Sequence, residues 1–345
     1  MKTITVLGAG YMGSAICFPL AERIRHINLW GTWLDDDIVD SCREGEHPKI
    51  KLQLPKNVRL YNSQQLTESL EDSDMVIIGV SSEGFAPVFS KLLDEIKRET
   101  PVLSLTKGFV LDGGIVEQIS VYARKEYNRK FPAARFVWGS IGGPVKAAEL
   151  SAGVPTNTVY GLMPGFPGKA LKLFSTDYYR VITTDDVKGV EICSALKNAY
   201  AIAIGICDGL YRDYGTLHDN IKAFMFSHAV QEMGRIVEEF GGRAATAAFL
   251  AGAGDLFVTA QSGRNRNFGE LIGRGIKPDT ALATMMKEGD IAEGYHAVKY
   301  GQKFIQKLYF DTGRELPLFH MLYRILFDGG SLENCIEDFI RTTGF

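Results

Sequence analysis

The 345-residue chain has no strong charge of either sign: 38 Lys+Arg stand against 41 Asp+Glu, a formal net charge of −3. Nucleic-acid binders normally carry a clustered basic surface, so a nucleic-acid partner is not expected. The five cysteines, Cys17, Cys42, Cys193, Cys207 and Cys335, are scattered and odd in number, with no CxxC pair. That argues against a disulfide scaffold or structural zinc and favours a reducing, cytoplasmic setting. No uninterrupted apolar run approaches the ~18 residues of a membrane span, so no span is expected. Met1-Lys2 leads into a short apolar strand and then glycines, less than the ~7 apolar residues of a signal-peptide core. His26, His47, His218, His228, His296 and His320 form no HxH or HExxH, so no metal site is expected; GxSxG and Walker A patterns are absent too.

Glycine, by contrast, is abundant: 37 residues, above the ~7 % of average usage. At roughly 150 residues per domain the length suggests two domains. The first half alternates β-branched runs with helical stretches. Thr3 to Leu7, His26 to Gly31, Met75 to Val80, Val102 to Thr106 and Phe136 to Gly139 read as strands of a doubly wound, mostly parallel sheet. Thr156 to Gly161 and Tyr179 to Thr183 read as two further strands, taken as antiparallel edge strands. From Asp185 the pattern turns helical. The expected division is an α/β dinucleotide-binding domain of Rossmann-like type, 1–184, and an all-helical substrate-binding and catalytic domain, 185–345, packed closely enough to form a cleft.

The first strand runs directly into Gly8-Ala9-Gly10-Tyr11-Met12-Gly13 and then a helical stretch, Ser14 to Arg23. This is GxGxxG in its required setting. The first glycine permits the turn, the second admits a pyrophosphate, and the third lets helix and strand pack. The pyrophosphate would rest on free N–H groups at the helix N-terminus. Thr32 stands where an acid usually holds the ribose 2′-hydroxyl, with Asp35, Asp36 and Asp37 just beyond. These acids would repel a 2′-phosphate, so NAD is expected, with NADP as the alternative; they equally suit the N-terminus of the next helix.

Two lysines occupy costly places. Lys107 follows the strand from Pro101 to Thr106, at the sheet edge where ligands bind in such folds. It serves a ligand or reaches out to solvent. Lys197 lies in Val190 to Cys207, a stretch apolar around most of a helix and so destined for burial. Glu191, Ser194, Lys197 and Asn198 share an arc of about 120°, continued by Ala201, Gly205 and Asp208. The small residues on that arc are expected to leave room for a ligand. A buried ammonium needs an acidic partner or a depressed pKa, and both suit proton transfer. The alternative is a structural ion pair with Glu191 or Asp208.

Asp255 sits in the glycine-rich turn Ala251 to Leu256 and could orient a lysine, while Arg264 and Asn265, in Gly263 to Gly269, offer donors for a phosphate or carboxylate. The other reading is a solvated loop between two glycine turns. Ala292-Glu293-Gly294-Tyr295 adds another acid-glycine pair.

Taken in order, Gly8 to Gly13, Leu29-Trp30-Gly31, Thr106-Lys107-Gly108, Gly143-Pro144, Ser194 to Asn198, Gly205 to Gly209, Gly254-Asp255-Leu256, Gly263 to Gly269 and Glu293-Gly294-Tyr295 resemble the NAD(P)-dependent glycerol-3-phosphate dehydrogenases over nearly the whole chain. Gly31 to Asp35 looks most like archaeal members. The resemblance implies reversible hydride transfer between dihydroxyacetone phosphate and sn-glycerol 3-phosphate, in phospholipid and glycerophosphate metabolism, by a cytoplasmic homodimer. By the same resemblance Lys197 is the general acid/base at the C2 oxygen, Asp255 its partner, and Lys107 a group that holds and polarises substrate. Gly143, Asn198, Arg264 and Asn265 would bind substrate; Gly8, Gly10, Tyr11, Met12, Gly13, Thr32, Ala147, Arg264 and Glu293 would contact the cofactor. Val145-Lys146 replace the usual Ser or Thr and aromatic, His228 a common Arg, and Gly263 the usual Ser. Competing expectations are a dehydrogenase of another phosphorylated polyol or ketose, and a non-catalytic dinucleotide-binding redox sensor.

Overall fold

A computed structural model describes residues 1–212, 218–287, 292–308 and 311–344. The chain folds as two compact units, Met1–Val110 with Gln118–Glu191, and Leu111–Glu117 with the chain from Ile192 onward.

The first unit holds an eight-stranded sheet. In chain order its strands are β1 (Thr3–Leu7), β2 (His26–Trp30), β3 (Val58–Tyr61), β4 (Met75–Ile78) and β5 (Val102–Ser104), then β8 (Trp138–Gly142), β9 (Thr156–Leu162) and β10 (Tyr179–Thr184). They lie in the order β10-β9-β8-β5-β4-β1-β2-β3. From β3 to β8 every pair is parallel. β9 runs antiparallel to β8, and β10 parallel to β9, so of these two strands β9 is interior and β10 lies at an edge. β1 and β4 are buried along their whole length, which explains their nearly unbroken apolar runs. Thr3 and Thr5 are the polar exceptions, and the Thr5 hydroxyl donates to the Ser69 carbonyl at 2.6 Å. The edge strand β3, Val-Arg-Leu-Tyr, is only partly covered, so its pattern is weak in the sequence.

Between β5 and β8 the chain makes a separate two-stranded hairpin, β6 (Phe109–Asp112) and β7 (Ile115–Gln118). Gly113 and Gly114, at φ +54° and +86°, supply the two positive-φ positions of its two-residue turn.

Register sets the functional edge of the sheet. Leu7 pairs with Trp30 and with Ile78, and Ile78 with Ser104. The turns after β1, β4 and β5 therefore leave at one edge, the carboxyl ends of the strands. The helix after β1 is two short segments, Tyr11–Ala15 and Cys17–Ala21. Pro19 accounts for the break, because its ring displaces the carbonyl of Ala15 four residues earlier and it has no N–H to donate.

The second unit is built around helices. Its central helix, Val187–Leu210, begins in the first unit and is long and apolar enough to cross a membrane, yet its apolar stretch is buried inside the protein. The arc expected to leave room for a ligand is instead filled by the Arg264–Gly273 helix. A Cβ on Gly205 would lie 2.0 Å from the Arg266 carbonyl oxygen, and one on Gly209 2.2 Å from that of Glu270. Gly294 likewise brings the Glu293–Ile305 helix onto the Asn198 carbonyl, where a Cβ would fall 2.3 Å away. These three glycines thus serve helix contact. Buried Glu232 accepts from the Leu318 and Phe319 N–H groups, at 2.6 and 2.9 Å, and from the Tyr200 hydroxyl at 2.9 Å, so it caps the Pro317–Phe327 helix.

Candidate active site

The glycine turn has the shape a dinucleotide needs. Gly8 takes φ +107°, and a Cβ there would meet the Gly79 carbonyl oxygen at 2.7 Å; at Gly13 it would fall 1.9 Å from the Gly8 oxygen. Gly10 differs, with nothing within 4 Å of its missing Cβ. Two glycines are therefore consumed by the turn, and the third keeps a space open where a pyrophosphate approaches. The helix beginning at Tyr11 has no side-chain cap, which leaves its first N–H groups for an anion. Tyr11 is exposed and Met12 half-buried beside it.

Thr32 is buried, and its hydroxyl donates to Asp35 Oδ2 at 2.8 Å. The same oxygen accepts from the N–H groups of Thr32 at 3.0 Å and Ala9 at 3.3 Å. Asp36 accepts from the N–H and hydroxyl of Ser63, at 2.8 and 2.7 Å. These contacts make both acids holders of local backbone, and Asp36 and Asp37 also fill the first turn of the Asp36–Glu44 helix.

Lys107, beyond the end of β5, donates to the Gly143 carbonyl at 3.2 Å, so these two expected substrate groups meet. Gly143, just past the end of β8, holds φ +112°, and its carbonyl also accepts the Val145 N–H at 2.9 Å. Lys146 precedes the Ala147–Ser151 helix and pairs with Glu149 at 3.8 Å, as a lysine at a helix start would. Ala147 is the first residue of that helix and half-buried.

Lys197 projects from the central helix and is 7 % exposed; Asp255 is 1 % exposed. The ammonium donates to Asp255 Oδ1 at 2.5 Å and to Thr259 Oγ1 at 2.9 Å. Its acidic partner is thus Asp255, rather than Glu191 or Asp208. Glu191 instead accepts from Ser120, Ser140 and Trp138, and burial raises its pKa. Asp208 takes Lys222, His218 and Arg266; although burial pushes its pKa up, those hydrogen bonds bring it below the usual value. Asp255 is presented by a local peculiarity: the π-helical turn Leu250–Gly254 runs straight into the Asp255–Gln261 helix. Such turns often occur at functional sites. Thr259, one turn after Asp255, was missed from the sequence, although i, i+4 spacing places both on one helix face.

Arg264 and Asn265 open a helix, Arg264–Gly273, where a solvated loop was the alternative. Asn265 Oδ1 accepts the Gly294 N–H at 2.8 Å. Glu293 receives long hydrogen bonds of 3.4 Å from Asn198 Nδ2 and Arg264 Nη2. The second unit therefore gathers Asn198, Arg264, Asn265 and Glu293, and Asn198 follows Lys197 directly in the central helix. Gly263 holds φ +126°, a backbone in which a serine would be strained. His228 packs against Phe224 and Phe339, with its pKa lowered by burial.

A strand, glycine turn and open helix N-terminus on a doubly wound sheet, with a buried lysine-carboxylate pair in the same chain, define a dinucleotide-dependent oxidoreductase. Residues 3–164 match the family model for the NAD-dependent glycerol-3-phosphate dehydrogenase N-terminus, and residues 186–337 match that for its C-terminus. The chain belongs to the NAD-dependent glycerol-3-phosphate dehydrogenase family. It is 33 % identical over 337 residues to an NADP(+)-dependent glycerol-3-phosphate dehydrogenase of Archaeoglobus fulgidus, covering 96 % of this chain and 97 % of that one. A glycerol-3-phosphate dehydrogenase [NAD(P)+] of Clostridium botulinum is 30 % identical, with 98 % and 97 % covered. The crystal structure of glycerol-3-phosphate dehydrogenase from Coxiella burnetii superposes with a TM-score of 0.83 at 28 % identity, covering 98 % of each chain.

Proposed function

We propose that this chain catalyses the reversible reduction of dihydroxyacetone phosphate to sn-glycerol 3-phosphate with NAD(P)H. The observation that carries this reading is the Lys197 ammonium, held by Asp255 and Thr259 in a site nearly closed to water. The Gly8 to Gly13 turn would hold the dinucleotide, whose nicotinamide would supply or take up the hydride. As C2 is reduced, Lys197 gives a proton to its oxygen; in the reverse direction it takes that proton back. Asp255 offsets the ammonium's charge and fixes its direction. Burial strengthens these electrostatic interactions over their value in water. Lys107, aligned by the Gly143 carbonyl, polarises and holds the substrate. Arg264, with Asn198 and Asn265, supplies donors for the phosphate, and Arg264 and Glu293 also contact the cofactor, as do Tyr11, Met12, Thr32 and Ala147.

The functional division is placed at 184/185, the end of β10. A cytoplasmic homodimer is the form proposed, from the wide scatter of the five cysteines along the chain, with no CxxC among them, and the prevalence of twofold symmetry in oligomers. The test follows oxidation of NADH and NADPH with dihydroxyacetone phosphate, beside a panel of other phosphorylated ketoses. Turnover with dihydroxyacetone phosphate well above the panel is expected. Inactivity with it under both cofactors would overturn the proposal, and activity confined to another phosphoketose would name the sister reaction.

A further inference from the structure

Behind the glycine turn lies a histidine to which no role has yet been given. His47 is fully buried. Its Nδ1 accepts the backbone N–H groups of Lys49 at 3.1 Å and Ile50 at 3.2 Å. Two donors on one nitrogen require a lone pair there, so the ring is neutral with its proton on Nε2. Nε2 in turn lies 3.1 Å from the Ala9 carbonyl oxygen and 2.9 Å from Ser14 Oγ. The two contacts bracket the four residues Gly10 to Gly13, whose N–H groups would face the pyrophosphate.

We propose that His47 is a positioning residue for the dinucleotide: its ring holds the Ala9 peptide and the Ser14 hydroxyl so that the turn is already set for the pyrophosphate. Both peptide groups that meet at Ala9 are held, the carbonyl of one by His47 and the N–H of the other by Asp35 Oδ2 at 3.3 Å. That restraint is needed because Gly8 and Gly10, on either side, have the widest conformational choice of any residue. A turn that wandered when empty would have to be ordered by the cofactor, and the ordering would be subtracted from affinity.

The inference rests on the dinucleotide reading of the turn, and the test separates the two. Kd for NADH and for NADPH is measured by nicotinamide fluorescence on the full chain and on His47→Ala, His47→Gln and His47→Asn. Cofactor KM, kcat and denaturant unfolding are recorded alongside. Gln can carry an N–H to the place of Nε2; Asn can reproduce only the acceptor at the place of Nδ1. Expected are about a tenfold rise in Kd for Ala, the scale of one or two lost hydrogen bonds, recovery by Gln, and none by Asn, with the loss in cofactor KM far exceeding that in kcat. Unchanged affinity in Ala, or Asn binding as tightly as Gln or tighter, would overturn the proposal while leaving the dinucleotide reading intact. Failure of the unaltered chain to bind either cofactor would overturn both. Should Ala not fold, the order of Gln and Asn decides alone.

Discussion

Gly205 and Gly269 let two helices touch backbone to backbone. A Cβ on the first would fall 2.0 Å from the Arg266 carbonyl oxygen, and a Cβ on the second 2.1 Å from that of Ile202. The crossing sets where Arg264 and Asn265, at the start of one helix, stand relative to Lys197 and Asn198 on the other. Gly205→Ala or Gly269→Ala should therefore lower stability by at least the ~1–3 kcal/mol typical of overpacking. Activity should fall further than the unfolded fraction accounts for, because the helix that carries the donors must move. Denaturant unfolding and steady-state kinetics check both effects; a variant as stable as the parent would show that the crossing yields without cost.

The cofactor turn allows a sharper separation of stability from binding. Gly10 has open space around it and ordinary φ, −74°, whereas a Cβ at Gly13 would sit 1.9 Å from the Gly8 oxygen. Gly10→Ala should keep the melting temperature within about 2 °C and raise cofactor KM at least tenfold, since the methyl enters the pyrophosphate's space. Gly13→Ala should lower the melting temperature markedly. The two melting curves, read beside cofactor KM, decide it.

At the lysine, the partners should matter unequally. Asp255→Asn leaves a buried ammonium without its counter-charge, a change that costs about 3–5 kcal/mol in comparable buried pairs. Thr259→Ala removes one hydrogen bond and keeps the ion pair, so its cost should stay near 1 kcal/mol. Unfolding free energies of the two variants test this order, and turnover should follow it.

Glu232 carries a pH signature. Burial pushes its pKa from 4.5 up to about 8 despite its three hydrogen-bond donors. Between those values the folded chain holds a proton that the unfolded chain has lost. This group's contribution to stability is thus fully present below pH 4.5 and declines as pH rises through 8. Unfolding of the parent and of Glu232→Gln at pH 5, 7 and 9 should show the parent losing stability relative to the variant as pH rises. A constant difference would contradict the assignment.

What could be read from the sequence was mostly what is local along the chain. β1 and its glycine turn are adjacent in sequence, so the strand, the turn and the helix N-terminus were legible together. Lys197 was legible because helical periodicity alone buries it. Periodicity could not say what would fill the arc at Gly205, since a cleared helix face accommodates a ligand or a second helix equally well. Asp255 and Glu293 lie 58 and 95 residues from the side chains they meet, Lys197 and Asn198. For Asp255 the residues alone offered an acid able to orient some lysine, and the family resemblance made that lysine Lys197; the meeting of Glu293 with Asn198 was not read at all. His47 carried no motif: its importance lies in two backbone N–H groups and one carbonyl, which are invisible in a sequence.

The central claim is that Lys197 moves the proton. The most direct measurement is turnover of Lys197→Met with dihydroxyacetone phosphate and NADH or NADPH, alongside cofactor Kd. The variant keeps the unbranched stem of the side chain and removes its ammonium, and with it the proton and charge. The account expects kcat to fall by about 10²–10⁴, the range of general acid–base catalysis, with cofactor Kd within twofold of the parent. Turnover within threefold of the parent would contradict it.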